Sequence, residues 1–219
     1  MIVTTKARSA YERELLAELR SRVKGSGWKL SRTALFKEKD GIYRQIIVSV
    51  HFGARLTSAT LGLKPMSLDP LLWDILVIPE NHEQSLSFRT WGAFTCQPLP
   101  IKERQVEAEH ATAADVAAAI IAFCQEADGL AEEALQRAPF SSLLASHPNH
   151  LARGAYAISL VLSLIAEGKP CKAREEASAY ASGIKSSVLS MTSVDKSFHE
   201  LAIEWLNARE RCACGKCPL

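Results

Sequence analysis

The feature that most constrains this fold is a run of alternating residues that begins at Trp28. In "WKLSRTALFKEKDGIYRQIIVSVHF", apolar side chains recur at every second position on both sides of Asp40-Gly41. Alternation is typical of half-buried strands, and Asp-Gly between two such runs favours a two-residue hairpin turn. The run therefore predicts two antiparallel strands. Four side chains of the second strand are expected to face the core: Ile46, Val48, Val50 and Phe52.

Two more strands are predicted further along the chain. The stretches "RLTSATLGL" at 55–63 and "SLSFRTWGAFT" at 85–95 both alternate apolar with polar residues. Between them, Asp69 followed by Pro70 is typical of a helix start, with the aspartate as the cap. The proline-punctuated stretch 97–110 is interpreted as a connection to the helices that follow.

Helical patterns lie before and after these strands. Residues 10–23 place leucines on one face and charged side chains on the other. A second apolar stripe runs through 112–137, where Thr112 and Asp115 have the spacing of a capping box, and 151–167 is apolar nearly all round. Strands grouped between helices favour an α+β fold, with an antiparallel sheet of about four strands, an N-terminal helix and a C-terminal helical half.

These patterns divide the chain into three parts. We expect an α+β sheet domain at 1–138, a helical extension at 139–211 and a cysteine-rich tail at 212–219. The apolar helix in the extension needs cover, and the sheet is the partner we expect for it. With 219 residues, the chain is long enough for one large domain or two small ones, and neither needs disulfides to fold.

Composition and charge disfavour several classes of protein. Hydrophobic residues make up 47% of the chain and charged residues 23%, as in an ordinary globular protein. The 26 Lys and Arg against 24 Asp and Glu leave a formal charge of +2, too small for a field that gathers nucleic acid. The first residues do not match a secretory signal, and no apolar run is long enough to span a membrane. We therefore expect a cytoplasmic protein that binds neither nucleic acid nor membrane.

The sequence carries few signatures of catalysis. Neither a phosphate loop, a dinucleotide fingerprint, a nucleophile elbow nor a paired-histidine zinc helix occurs in it. Cys96 and Cys124 lie in apolar patterns and are interpreted as core residues. Cys171, beside Lys172 at a predicted helix start, is better placed to form a thiolate. We therefore favour a protein without enzymatic activity or a cofactor.

The tail "RCACGKCPL" is a candidate metal or thiol site. Cys212, Cys214 and Cys217 have a spacing that can bind zinc, but a closed site needs four ligands. The fourth would have to come from Cys171, from a histidine such as His199, or from a residue of a partner protein. The stretch "CACGKC" is similar to the start of the C-terminal zinc motif called SEC-C, although the basic linker and the closing Cys-Cys or Cys-His pair are missing here. Zinc binding, a thiol-disulfide role and an ordinary chain end all stay open.

A second candidate site lies on the predicted sheet. If 85–95 is a strand, Arg89 and Trp91 share one of its faces, and His51 lies on the equivalent face of a neighbouring strand. Arginine and tryptophan often anchor protein interfaces, so these residues are candidates for partner binding. The alternative is that the C-terminal helices cover this face and make Trp91 a core residue.

Four stretches follow one another in a recognisable order: "GWKL", "YRQIIVSVHF", "TLGLKP" and "AAAIIAFCQEA". This layout, over residues 10–137, resembles the bacterial family called domain of unknown function 4304. Members of such families are often encoded near toxins, so the resemblance implies a binding or immunity role, with a neighbour-encoded toxin as the partner. It brings no catalytic residues with it.

Three functions follow from these observations. The first is a non-enzymatic protein-binding protein, of an immunity type that occludes a cognate toxin. The second is a thiol- or zinc-dependent regulator or enzyme that uses the C-terminal cysteines. The third is a small-ligand binding module with a cleft between sheet and helices.

Overall fold

The structure is a computed structural model in which the following residues are described: 5–51, 56–107, 111–146, 156–185, 192–193 and 195–213. The chain forms two compact units, the first of residues 1–64 and 98–137 and the second of residues 65–97 and 138–219. The sequence pattern assigns residues 65–97 to the sheet domain. In the structure they belong to the second unit, because their first helix packs on C-terminal helices.

Eight helices lie in the described part of the chain: α1 (Thr5–Arg22), α2 (Leu68–Leu76), α3 (Phe88–Trp91), α4 (Ala113–Arg137), α5 (Phe140–Ala145), α6 (Ala157–Ala166), α7 (Pro170–Ala181) and α8 (Phe198–Ala213). The strands are β1 (Lys29–Ser31), β2 (Ala34–Lys39), β3 (Ile42–His51), β4 (Leu56–Pro65), β5 (Leu99–Glu107), β6 (Thr192–Ser193) and β7 (Lys196–Ser197). Strands β1 to β5 form one antiparallel sheet in chain order, and β6 pairs with β7. The α+β class is confirmed, with five strands in the main sheet where about four are predicted.

The predicted hairpin is confirmed as the pair β2 and β3. Asp40 and Gly41 have φ angles of 55° and 73°, as a two-residue type I′ turn requires. Of the four side chains predicted to face the core, three pack into it or against it: Ile46, Val48 and Val50. Phe52, the fourth, lies outside the described residues.

Helices α1 and α4 pack together and share the core of the first unit with the sheet. Their apolar stripes supply much of this core: Leu15, Leu19, Val23, Val116, Ile120, Phe123 and Cys124. The capping box at the start of α4 is also confirmed. The Thr112 N–H donates to Asp115 Oδ2 (3.0 Å), and the Asp115 N–H donates to Thr112 Oγ1 (3.2 Å).

The predicted strand at 85–95 is wrong. These residues form turns and α3, in which the Phe88 N–H donates to the Ser85 carbonyl (2.9 Å) and the Thr90 N–H to the Ser87 carbonyl (3.1 Å). Serine at alternate positions reproduces the polar half of a strand pattern, but serine also favours turns. The local turn bonds prevail here.

The fifth strand lies in the stretch predicted as a connection. Strand β5 is at the edge of the sheet, where the missing N–H of a proline is tolerated. Its residue Pro100 pairs with Gly62 next to an irregularity in the β4–β5 ladder. A further difference is at Arg32, whose φ of 52° belongs to a tight turn that splits the first predicted strand into β1 and β2.

Helix α6 is the centre of the second unit. It is buried nearly all round, as predicted, from Ala157 to Leu164. Within its unit it packs against α2, α5 and α7. The packing of this helical half on the sheet stays a prediction. None of the described helices is both long and apolar enough to cross a membrane.

Candidate functional site

Residues 77–94, here called the 77–94 segment, follow α2 and are tied to it by a buried ion pair. Asp69 on α2 is 0% exposed, and its carboxylate accepts hydrogen bonds from Arg89 Nη1 (2.7 Å) and from the Cys96 N–H (2.7 Å). The same Arg89 nitrogen lies 3.3 Å from the Met66 carbonyl oxygen, to which it also donates. Because both carboxylate oxygens have donors, the buried charge is compensated. The ion pair thereby holds the middle of the segment against the start of α2.

Trp73, one turn further along α2, holds the end of the segment. Its indole N–H donates to the Phe94 carbonyl oxygen (2.6 Å), and the Arg89 guanidinium lies 5.1 Å from the ring centroid. His82 packs edge-on at 5.5 Å and Phe88 is tilted at 6.3 Å, both from the segment. Trp73 is 1% exposed, and part of the cover over its large apolar surface comes from these side chains of the segment.

The 77–94 segment exposes apolar side chains. Among the described residues, four large hydrophobic side chains are exposed: Val77 (79%), Trp91 (40%), Phe94 (38%) and Ile184 (81%). The first three belong to this one segment. Single exposed apolar residues are ordinary, so the grouping of three of the four within one segment makes this segment the candidate interaction surface.

Two of these exposed residues have a strained backbone. Val77 has a φ of 57° and Phe94 a φ of 55°. A left-handed conformation is unusual for any residue with a Cβ and an outlier for a β-branched one. Such strain costs about 1–3 kcal/mol per residue and persists only where the surroundings fix the conformation, most often at functional sites. At Val77 the constraint is the C-terminal cap of α2, where the Val77 N–H donates to the Asp74 carbonyl (3.4 Å) and the Ile78 N–H to the Trp73 carbonyl (2.9 Å). At Phe94 it is the hydrogen bond that the Phe94 carbonyl accepts from the Trp73 indole.

The stretch that contains the segment is acidic. Residues 65–97 contain four carboxylates, one arginine and no lysine, a formal charge of −3, so the rest of the +2 chain carries +5. Asp69 and Arg89 compensate each other in the ion pair. The three remaining carboxylates are exposed: Asp74, Glu80 and Glu83. His82 Nε2 lies 3.0 Å from Asp74 Oδ1.

The structure does not unite the three residues predicted for partner binding on one sheet. Arg89 and Trp91 lie in α3 rather than in a strand, and His51 ends β3 in the other unit, with its Nε2 3.3 Å from Ser58 Oγ. Arg89 holds the ion pair. Trp91 is exposed, which also rules out the alternative that it is a core residue.

The sequence did not identify Val77 and Phe94 as candidate site residues, because no sequence pattern predicts a left-handed backbone conformation at a valine or a phenylalanine. One signal was available in Gly92, which interrupts the apparent strand. A Cβ placed on Gly92 would lie 2.6 Å from the Phe88 ring, and the Gly92 N–H donates to the Phe88 carbonyl oxygen (2.6 Å). A side chain at this position would have to displace the Phe88 ring, which lies against the backbone here.

The cysteines are distributed over different environments. Cys96 and Cys124 are buried, as predicted, and burial raises the pKa of the Cys124 thiol to about 12. Cys171 is exposed at the start of α7. Cys214 and Cys217 lie outside the described residues, and nothing is described for the side chain of Cys212 in α8. In the described ranges, no three His, Cys, Asp or Glu side chains form a group that could hold a metal ion.

His199, the predicted alternative to Cys171 as fourth ligand, is a buried residue. Its ring stacks on Tyr180 at 4.7 Å and meets Phe198 edge-on at 5.4 Å. Its Nε2 is buried without a hydrogen-bond partner, and burial lowers the pKa of His199 to about 4. The stack fixes the imidazole between α7 and α8 as a neutral group.

A cleft of about 260 Å³ lies among α5, α6 and α7. Leu160 and Leu164 give it an apolar wall, and serines and charged side chains line the rest. Among the described residues, two of these charged side chains, Lys172 and Glu175, take part in no ion pair. The cleft thus combines apolar surface with two lysines and two glutamates, of which Lys169 and Glu176 are paired with residues outside the lining.

Glu167 braces the wall of this cleft. Its carboxylate accepts from the Ser141 N–H (2.9 Å), from Ser141 Oγ (2.6 Å) and from Lys169 Nζ (2.6 Å). Burial by itself raises the pKa of Glu167, but the hydrogen bonds from Lys169 and Ser141 outweigh it and hold the pKa below its usual value. Ser141 and Lys169 are thereby fixed at the cleft edge.

No protein-family model, no curated protein and no solved structure matches this chain. The resemblance to domain of unknown function 4304 therefore rests on the layout of the sequence alone.

Proposed function

We propose that the protein is a non-enzymatic protein-binding protein whose contact surface is the 77–94 segment. The observation that carries this proposal is the concentration of exposed Val77, Trp91 and Phe94 in a segment whose backbone is held in strained conformations. Large exposed aromatic side chains are the residues that most often dominate the binding energy of protein interfaces.

The anchoring of the segment supports binding by a preformed surface. Ordering a loop at the moment of binding lowers affinity, because the entropy lost offsets the new contacts. Asp69 and Trp73 already fix the middle and the end of the segment before any partner arrives. A partner would therefore meet Trp91 and Phe94 with little ordering of the backbone.

The finer proposal is an immunity-type protein whose partner is a toxin encoded by a neighbouring gene. Its support is the layout of residues 10–137, and its mechanism is steric: the bound protein covers the site that the toxin uses. Such inhibition requires neither a catalytic residue nor a cofactor in this chain.

The experiment is a binding measurement with the product of the adjacent gene. The protein and that product are co-expressed and co-purified, and the dissociation constant is measured by calorimetry for wild type and for Trp91→Ala/Phe94→Ala. Ile184→Ala is the matched control, since Ile184 is an exposed apolar residue outside the segment. We expect the double variant to bind at least about tenfold more weakly, and the control to bind like wild type.

Two results would count against the proposal. One is unchanged binding by the double variant while its circular dichroism shows an intact fold. The other is an equal loss in Ile184→Ala, which would show that general apolar contact rather than this segment is responsible. For the immunity role, co-expression must also restore growth of cells that produce the adjacent protein, and failure to do so would remove that part alone.

The cleft among α5, α6 and α7 favours a second candidate, a small-ligand binding module. It lies among helices, whereas the sequence predicts a cleft between sheet and helices. An amphipathic metabolite could place an apolar group on Leu160 and Leu164 and a carboxylate near Lys172. The test is a thermal-shift screen of amino acids and short fatty acids. A hit must be lost in Lys172→Gln and kept in Lys24→Gln, an exposed lysine of the other unit.

A further inference from the structure

The charges in and next to the 77–94 segment indicate the class of molecule that binds it. Two of the charged side chains in residues 65–97, Asp69 and Arg89, form an ion pair with each other at 2.7 Å. The remaining carboxylates of residues 65–97 are exposed and have no arginine or lysine of this stretch to pair with: Asp74, which lies 3.0 Å from His82 Nε2, Glu80 and Glu83. The chain as a whole is slightly basic, so this concentration of carboxylates is a local property.

An acidic surface discriminates among classes of macromolecule. The phosphates of nucleic acids and the headgroups of anionic membranes are negative, so both are repelled by Asp74, Glu80 and Glu83. A protein face rich in lysine and arginine is attracted instead, and its apolar centre can cover Trp91 and Phe94.

Resting on the proposed protein-binding function, we infer that the partner of the 77–94 segment is a protein that presents a basic face with an apolar centre. The apolar contacts with Val77, Trp91 and Phe94 supply the affinity. The three exposed carboxylates steer the approach and fix the orientation of the partner. His82 of the segment lies 3.0 Å from Asp74 and packs edge-on against Trp73, so this carboxylate lies beside the segment.

The two contributions have different experimental signatures. Steering by exposed charges acts on the association rate and weakens as salt is added, because screening shortens the reach of a charge to about 10 Å at about 0.1 M salt. Apolar anchors act mainly on the dissociation rate and are much less sensitive to salt.

The test uses the full-length protein and a phage-displayed library of random linear peptides. Peptides are selected on wild type and counter-selected on Trp91→Ala/Phe94→Ala, so that only binders of the segment remain. The tightest peptides are then synthesised, and their association and dissociation rates are measured at low and high salt.

Two triple variants separate the acidic cluster from net charge. Asp74→Asn/Glu80→Gln/Glu83→Gln removes the cluster, and Glu14→Gln/Glu103→Gln/Glu133→Gln removes three exposed carboxylates of the first unit. Both change the net charge by the same amount. All of these residues are exposed, and thermal melting checks that each variant folds.

We expect the selected peptides to be enriched in lysine and arginine next to apolar residues. Their association with the first triple variant should be slower by about tenfold or more at low salt, and their association with the control triple should match wild type. Segment-dependent peptides without basic enrichment, or with equal rates on both triples, would overturn this inference and leave the protein-binding function standing. If no selected peptide depends on Trp91 and Phe94, the protein-binding function fails, and this inference fails with it.

Discussion

Replacing Arg89 by methionine tests the claim that one buried ion pair holds the 77–94 segment in place. Methionine keeps an unbranched side chain over Trp73 but removes the guanidinium that pairs with Asp69 at 2.7 Å. Asp69 is 0% exposed and the Arg89 side chain 12%, so water has little access to the charge that is left. The carboxylate keeps its hydrogen bond from the Cys96 N–H.

The expected cost follows from this geometry. Removing one member of a buried ion pair destabilises a protein by about 3–5 kcal/mol. Because one Asp69 oxygen stays hydrogen-bonded to Cys96, we expect the lower end, about 3 kcal/mol. For a chain of this length that corresponds to a fall in the melting temperature of roughly 6–12 °C.

A matched control separates burial from the loss of any ion pair. Arg104 pairs with Glu126 at 2.7 Å and also lies over an aromatic ring, that of Phe123, but its side chain is 34% exposed and that of Glu126 50%. Arg104→Met is expected to cost at most about 1 kcal/mol, as exposed pairs do.

The assay is urea unfolding followed by tryptophan fluorescence and circular dichroism, with the partner or a selected peptide then bound to each variant. Asp69→Asn combined with Arg89→Met should recover most of the lost stability, since no buried charge remains and the asparagine oxygen can still accept from Cys96. An Arg89→Met variant that is no less stable than Arg104→Met would refute the argument from burial.

Three further predictions concern single features of the chain. Val77→Gly should stabilise the protein by about 1 kcal/mol, because glycine takes the left-handed φ without strain, and should weaken binding to the partner in the same calorimetric assay. The pKa of His199 in the folded protein is about 4, below its ordinary value of 6.5. The protein therefore has its full stability with respect to this group above about pH 6.5 and loses about 3 kcal/mol as the pH falls towards 4, because the unfolded chain takes up the proton more readily. His199→Phe should flatten this dependence of the unfolding free energy on pH, measured by urea unfolding between pH 4 and 7. Elemental analysis of protein purified without chelator should find well below one zinc per chain, because the tail holds only three cysteines and His199 is committed to its stack, which leaves exposed Cys171 as the candidate for a fourth ligand within the chain. Deletion of residues 211–219 should leave the melting temperature unchanged. Stoichiometric zinc would show that the tail is a metal site.

The sequence predicted correctly those features that depend on residues close together in the chain. The turn at Asp40 and Gly41 and the capping box at Thr112 and Asp115 depend on residues within a few positions of one another, and both are present as predicted. The all-round apolar pattern of α6 likewise predicted its burial.

The errors arose where distant residues decide the outcome. Asp69 was predicted to cap α2, but Ser67 occupies the cap position and the Asp69 carboxylate turns to Arg89 instead. The alternation in 85–95 is also produced by turns. No spacing rule connects Asp69 to a residue twenty positions later, so the anchor of the candidate site could not be predicted from the sequence.

In the sheet, the burial of charged residues also depends on partners that are distant in the sequence. Arg44 lies in β3 on the face that packs against α4, and its side chain is only 2% exposed because it meets Asp128 of that helix (3.2 Å). Lys37 and Lys39 of β2 also approach Asp128, at 2.8 and 3.7 Å. Alternation predicts which side of a strand a residue occupies, but not that a carboxylate on another element compensates it.

The anchoring of the 77–94 segment separates two kinds of residue. Asp69, Trp73 and Arg89 are buried or nearly so and hold its backbone, whereas Trp91 and Phe94 are 40% and 38% exposed. If the segment binds a partner as proposed, substitutions at the two exposed positions would change which partner is recognised without removing the anchor of the backbone. A lineage of such proteins could follow a changing target by varying these side chains while the ion pair and the indole beneath them stay fixed.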